Sequence, residues 1–157
     1  MELEIAGRHA LVTGGSLGIG HQTAATLAAA GVDVAIVARD AARLADVAGE
    51  LDRASVGHVV AIPGDMSNSD DINRVIIGAG EALGSIDILI NNAGSSPAGR
   101  IQDLKDETWA AAFELKFMGY MRCARAVLPE MRARRWGRII NVIGRGGHNP
   151  SAGYILG

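Results

Sequence analysis

Aliphatic runs of strand length alternate with amphipathic stretches of helix length along almost the whole chain, and very few architectures accommodate that order. Strands are expected over 9–12, 32–38, 58–62, 86–90 and 138–143. They are nearly continuous in Val, Ile, Leu and Ala, as strands are when helices cover both faces of a parallel sheet. The fold class expected is therefore α/β, a three-layer doubly wound parallel sheet. Helix signals fall between the strands. Gly31 follows the first helix and can end it in the left-handed conformation. Asp40 is placed to cap a helix bearing Leu44, Val47 and Leu51 at helical spacing. Ile72, Val75, Ile76, Ala79 and Leu83 form one stripe with Gly84 just beyond it. A longer helix is expected from about 106 to 134, kinked or shortened by Pro129, and the glycine-rich stretch 144–157 reads as loop.

A chain of 157 residues has the size of one domain, so residues 1–157 are expected to form a single unit. With 48% hydrophobic, 20% charged and 4% aromatic residues, the composition describes aliphatic layers rather than disorder or aromatic stacking surfaces. A formal net charge of −2 argues against a footprint on nucleic acid. Arg132, Arg134, Arg135 and Arg138 could suggest a basic patch, but near a helix C-terminus they are better read as charges that compensate its dipole. His9, His21, His58 and His148 are scattered, and neither they nor the lone Cys123 show metal-ligand spacing. Cys123 reads as a small buried hydrophobe. Residues 1–5 lack a basic region followed by an apolar stretch, and no apolar run reaches membrane-spanning length, so a cytoplasmic protein without a membrane partner is expected.

The chemistry begins at Thr13-Gly14-Gly15-Ser16-Leu17-Gly18-Ile19-Gly20, directly after the first strand and opening the first helix. Glycines there let the backbone turn tightly and approach a pyrophosphate, while free N–H groups and the helix dipole stabilise its charge. The spacing Gly14-x-x-x-Gly18-x-Gly20 resembles the short-chain dehydrogenase/reductase family more than the common Rossmann fingerprint. Asn91-Asn92-Ala93-Gly94 after the fourth strand matches that family's Asn-Asn-Ala-Gly motif. Gly64-Asp65-Met66 looks like its acidic site, and Trp109, Pro129, Met131 and the run from Gly137 to Asn141 stand at positions typical of it. The resemblance implies a Rossmann fold in which Gly14, Ser16, Leu17, Gly18, Ile19 and Gly20 hold the pyrophosphate. It also implies that Asp65 and Met66 meet the adenine, and that Asn92, Ala93 and Gly94 border the cofactor.

An acidic residue that ends the second strand of an NAD-binding Rossmann domain accepts hydrogen bonds from the ribose hydroxyls. Here that place is Ala38, and Arg39 follows it with a guanidinium suited to a 2′-phosphate. NADP(H) is the expected cofactor, with NAD(H) as the lesser choice.

Family members interconvert alcohols and ketones with a tyrosine in Tyr-x-x-x-Lys, a serine after the fifth strand and an asparagine in the long helix. The resemblance puts the tyrosine at Tyr154, and the motif's lysine would follow Gly157. The serine's place falls on Gly144, with Ser151 wrongly spaced, and the asparagine's place falls on Lys116. A lysine on a helix is ordinarily a solvated surface charge, and the sharper alternative is that Lys116 supplies the positive charge that a catalytic phenol needs. A homo-oligomer, dimer or tetramer, is implied for the full-length form, and the sheet is expected to be incomplete on its C-terminal side. The competing reading is a nucleotide-binding or interaction module without catalysis.

Overall fold

The structure is a computed structural model that describes residues 4–156. Its strands are β1 (His9–Thr13), β2 (Asp33–Ala38), β3 (Val59–Pro63), β4 (Ile88–Asn91) and β5 (Arg138–Asn141). All pair in parallel, in the order β3-β2-β1-β4-β5. From β1 the chain steps outward through β2 to β3, then returns to the other flank of β1. This reversal opens a crevice between β1 and β4 at the carboxyl ends of the strands, where doubly wound sheets bind ligands.

Alternation along the strands builds two cores, one on each face. Ala10, Val12, Val34 and Ile36 point toward α1 (Gly18–Ala29) and α2 (Ala41–Ala54), where Ala24, Ala28, Leu44, Ala48 and Leu51 cover them. Leu11, Ala35, Val37 and Leu89 point the other way, against α3 (Ser69–Leu83) and α5 (Gly119–Arg134). The short side chains of Ala24 and Ala28, spaced by one turn, let α1 lie close to the sheet. Each fully buried Leu, Ile or Val contributes roughly 1.5–3 kcal/mol of hydrophobic stabilisation.

Caps fall where the sequence signals them. The Asp40 side chain accepts from the Arg43 backbone N–H, and Gly31 and Gly84 adopt φ of 79° and 83° at the ends of α1 and α3. Asn68 caps α3 by accepting from the amides of Asp70 and Asp71.

The long helix departs from expectation. α4 (Asp106–Phe113) gives way to a π-helical turn over Glu114–Met118 before α5 resumes the α-helical pattern. The wide turn closes with the Gly119 N–H donating to the Glu114 carbonyl, and an ion pair between Glu114 and Arg122 spans it. The inserted residue changes the helical phase. α4 buries none of its residues, whereas Cys123, Val127 and Met131 of α5 lie in the core one turn apart. Gly119 stands where the backbones meet, since a Cβ there would lie 2.4 Å from the Met66 carbonyl oxygen.

Pro129 does not shorten this helix, which continues to Arg134. The core positions on either side of Pro129, Val127 and Met131, outweigh the one backbone hydrogen bond that proline cannot donate. Stretch 144–157 is not all irregular either: Arg145–Gly147 form a 3-10 turn, and Gly99 pairs with Tyr154 in a parallel bridge. β5 is a sheet edge with Ile140 43% exposed, and its strand character ends at Asn141 rather than at residue 143. No helix among the described residues is long and apolar enough to cross a membrane.

Gly119→Ala is expected to cost about 1–3 kcal/mol, because its methyl group meets a backbone carbonyl that cannot rotate away. Urea denaturation of wild type and variant would measure the loss.

Candidate functional site

The crevice is built around Thr13, the last residue of β1. Its hydroxyl donates to the Ile90 carbonyl at 3.3 Å and accepts from the amides of Asn92 and Ala93 at 2.9 and 3.0 Å. Asn92 answers from the other side, its Nδ2 donating to the carbonyls of Thr13 and Gly14 at 3.0 and 3.2 Å. The loops after β1 and β4 are thereby locked together.

Two glycines of the first turn take positive φ, Gly14 at 68° and Gly18 at 56°. A Cβ on Gly14 would come within 2.8 Å of the Asn92 amide, and one on Gly20 within 2.1 Å of the Gly14 carbonyl. Gly14 and Gly20 therefore serve close packing of loop against helix. Gly18 differs, because a Cβ there would meet nothing within 4 Å, so its requirement is the backbone conformation alone.

α1 starts without a side-chain cap and carries no acidic residue in its first turn. Its leading N–H groups and positive dipole end are left for an anion. Leu17 and Ile19 flank the turn and are 62% and 65% exposed.

The crevice, about 1340 Å³, brings together Gly14, Ser16, Leu17 and Ile19 with Arg39, Asp65, Met66, Asn92, Ala93 and Gly94. Gly18 and Gly20 lie in the turn that opens α1 but do not line this space. Asp65 is held in place from both sides: its amide donates to Asp71 at 2.8 Å, and its Oδ1 accepts from the amide and hydroxyl of Ser67. Oδ2 of Asp65 makes no hydrogen bond among the described residues. Asp71 is held below the usual carboxylate range by that Asp65 amide and then by Arg74.

A nicotinamide dinucleotide fits these residues. The turn is free of side chains at Gly18, the α1 amides await an anion, and the far end presents the cation of Arg39 rather than a carboxylate ending β2.

Neither Tyr154 nor Lys116 lines this crevice. Lys116 belongs to the π-helical turn and lays its aliphatic stem over Gly94, where a Cβ would come within 2.9 Å of its Cε. Tyr154 is 43% exposed, and its backbone is tied to the segment after β4 by Gly99 accepting from Ile155 and donating to Gly153. The other tyrosine is unsuited to proton transfer. Tyr120 donates its hydroxyl to the Val142 carbonyl, and burial pushes its pKa up to about 12. Cys123 is 1% exposed and burial raises its thiol to about 11, the behaviour of a buried hydrophobe rather than a nucleophile. Among the described residues no His, Cys, Asp and Glu side chains cluster in a way that could hold a metal.

Sequence reasoning passed over two residues at this site. Arg43, in the first turn of α2, lines the crevice beside Arg39 and Asp40. Thr13 was visible only as the residue before the glycines, although its hydroxyl organises both loops.

A parallel sheet with helices on both faces and a glycine turn at its topological switch defines a Rossmann-type nucleotide-binding fold. The sequence profile of the short chain dehydrogenase family matches residues 8–156, and the chain belongs to that family. It is 38% identical over 142 residues to the rhamnolipids biosynthesis 3-oxoacyl-[acyl-carrier-protein] reductase of Pseudomonas aeruginosa, covering 88% of this chain and 55% of that one. It is 33% identical to the 3-ketodihydrosphingosine reductase of Bos taurus over 156 residues, 97% of this chain and 47% of that one. Among solved structures it superposes with a TM-score of 0.95 and 32% identity on L-sorbose reductase from Gluconobacter frateurii complexed with NADPH and L-sorbose. That match covers 99% of this chain and 59% of the other. The chain spans about half the length of the curated relatives it matches.

Thr13→Val removes the acceptor of two loop amides while keeping the side chain's shape. Stability is expected to fall by about 1–3 kcal/mol, the usual cost of orphaned amides, with weaker nucleotide binding. Thermal melts and NADPH titration on the same variant would show both effects.

Proposed function

We propose that this chain is the cofactor-binding part of an NADP(H)-dependent oxidoreductase that interconverts an alcohol and a ketone. The observation that carries the reading is the glycine turn between β1 and α1, which starts the helix without a side-chain cap beside a crevice that runs to Arg39. Gly14, Ser16, Leu17, Gly18, Ile19 and Gly20 receive the pyrophosphate. Asp65 and Met66 receive the adenine, and Asn92, Ala93 and Gly94 border the nicotinamide half. Arg39 receives the 2′-phosphate, in keeping with the NADPH held by the sorbose reductase. When bound, the nicotinamide supplies or accepts the hydride.

The protein's own part is binding, orientation and proton transfer. Tyr154 is the proton donor to, or acceptor from, the substrate oxygen, since Tyr120 is half-buried and already hydrogen-bonded. A phenol works near neutral pH only beside a positive charge, and Lys116 is the proposed source of it. An oligomer is proposed as well. Phe113, Phe117 and Leu128 leave large apolar surfaces along the α4–α5 helix, which a second copy would cover.

A second reading, nucleotide binding without catalysis, is favoured by one specific feature: Gly144 stands where the family's serine would, with no side chain to orient a substrate oxygen.

Tyr154→Phe in the full-length protein separates the two. On the oxidoreductase reading, turnover falls about 100-fold or more while NADPH binding is retained. Wild-type protein that binds NADPH tightly but reduces no carbonyl substrate would favour the second reading. For the oligomer, Phe117→Glu is expected to shift the sedimentation coefficient toward that of a monomer.

A further inference from the structure

We infer that Gly99 is a positioning residue for Tyr154, its backbone clasping the chain on both sides of the tyrosine and fixing it to the segment that borders the crevice. The inference rests on the oxidoreductase reading, in which Tyr154 moves the proton, and deepens it.

Tyr154 needs such a fixing because its own stretch of chain supplies little. The connection that leads to it from β5 contains Gly144, Gly146, Gly147 and Gly153, and glycine has the most backbone freedom to lose. Residues 151–155 are exposed throughout, so they bury little apolar surface to offset that loss. What holds them is backbone hydrogen bonding. The Tyr154 N–H donates back to the Ser151 carbonyl at 3.0 Å, which shapes the stretch locally. Gly99 anchors it: its N–H donates to the Gly153 carbonyl at 2.8 Å, and its carbonyl accepts from the Ile155 N–H at 3.3 Å. The two bonds flank the tyrosine and involve none of its side-chain atoms.

The other side of the clasp belongs to the crevice. Gly94, Ser95 and Pro97 line it, and Gly99 follows them before the chain enters α4. Leu104 packs where a side chain on residue 99 would stand: a Cβ would come within 2.5 Å of its Cδ2 and 2.8 Å of its Cγ. The φ of Gly99 lies outside the left-handed region, so contact rather than conformation excludes a side chain there. A side chain at residue 99 has to displace Leu104 or move the backbone off the 153–155 stretch. The second movement reaches the tyrosine directly. Two backbone bonds at exposed residues add little to stability, yet they can set a rate, because a misplacement of about 1 Å at a reacting group costs on the order of 100-fold.

The test uses the full-length protein as wild type, Tyr154→Phe, Gly99→Val, Leu104→Ala and the double variant Gly99→Val with Leu104→Ala. NADPH affinity is read by fluorescence titration. Turnover is read as NADPH oxidation with a 3-oxoacyl thioester, a ketose and an aliphatic ketone as probes. Gly99→Val is expected to lower kcat about 10- to 100-fold while NADPH affinity holds. Leu104→Ala alone should stay near wild type, and in the double variant it should recover most of the lost kcat by making room for the new side chain. Gly99→Ala carries the same readout should the valine variant not fold. Wild-type kcat in the Gly99 variant, a loss that Leu104→Ala does not relieve, or an equal loss of NADPH affinity would each overturn the clasp. The oxidoreductase reading would still stand on an inactive Tyr154→Phe. Wild-type turnover in Tyr154→Phe, or a wild type that reduces none of the probes, would overturn that reading and the clasp with it.

Discussion

One hydroxyl ties together the two loops on which everything at the crevice depends. Thr13 ends β1, donates to the carbonyl of Ile90 in β4 and accepts the amides that follow β4. A parallel sheet that reverses direction at β1 has no ladder bond to join the loops leaving β1 and β4, so they would otherwise diverge. Thr13 and Asn92 supply the missing bonds from side chains. The glycines follow from that closeness, because Asn92 occupies the space a side chain at residue 14 would need, and the Gly14 carbonyl occupies the space at residue 20. The turn is narrow because the lock is tight, and it opens α1 without a side-chain cap.

The architecture was legible in the sequence because both of its signals are redundant. Each central strand is aliphatic on two faces, so shifting its boundary by a residue changes neither the strand nor its layer. That is why β4 is recognisable although it starts at Ile88 rather than at residue 86. Caps were legible for a different reason: Asp40, Gly31 and Gly84 each perform a local task that few other residue types perform as well. The three-layer arrangement then follows from alternation alone.

What was not legible depends on contacts distant in sequence. The π-helical turn has no compositional mark, since Glu114, Leu115, Lys116, Phe117 and Met118 are all acceptable in an α-helix. It arises where Gly119 presses against the Met66 carbonyl and the core residues of α5 require a phase that α4 does not share. A reading based on one period runs straight through it. Pro129 misleads in the opposite sense, because its local penalty is visible while the buried neighbours that outweigh it, Val127 and Met131, are read as ordinary helix residues. Within the crevice, Gly14 could be read from the turn, yet Arg43 could not be read from its own segment, since i to i+3 pairing with Asp40 gives it an ordinary explanation.

The electrostatics of the site follow the same division of labour. One wall is backbone: the uncapped start of α1 attracts an anion through oriented amides that cannot swing away or be neutralised by pH. The other wall is side chain, with Arg39 and Arg43 on flexible stems and the carboxylate of Asp40 drawn back to cap α2. A binding site made only of oriented amides would hold any diphosphate. One made only of exposed arginines would be screened by salt and have little fixed geometry. The crevice combines the two, with a rigid turn on one side and cations on flexible stems on the other. Asp65, fixed by Asp71 and Ser67, adds a third anchored group to the lining of this crevice.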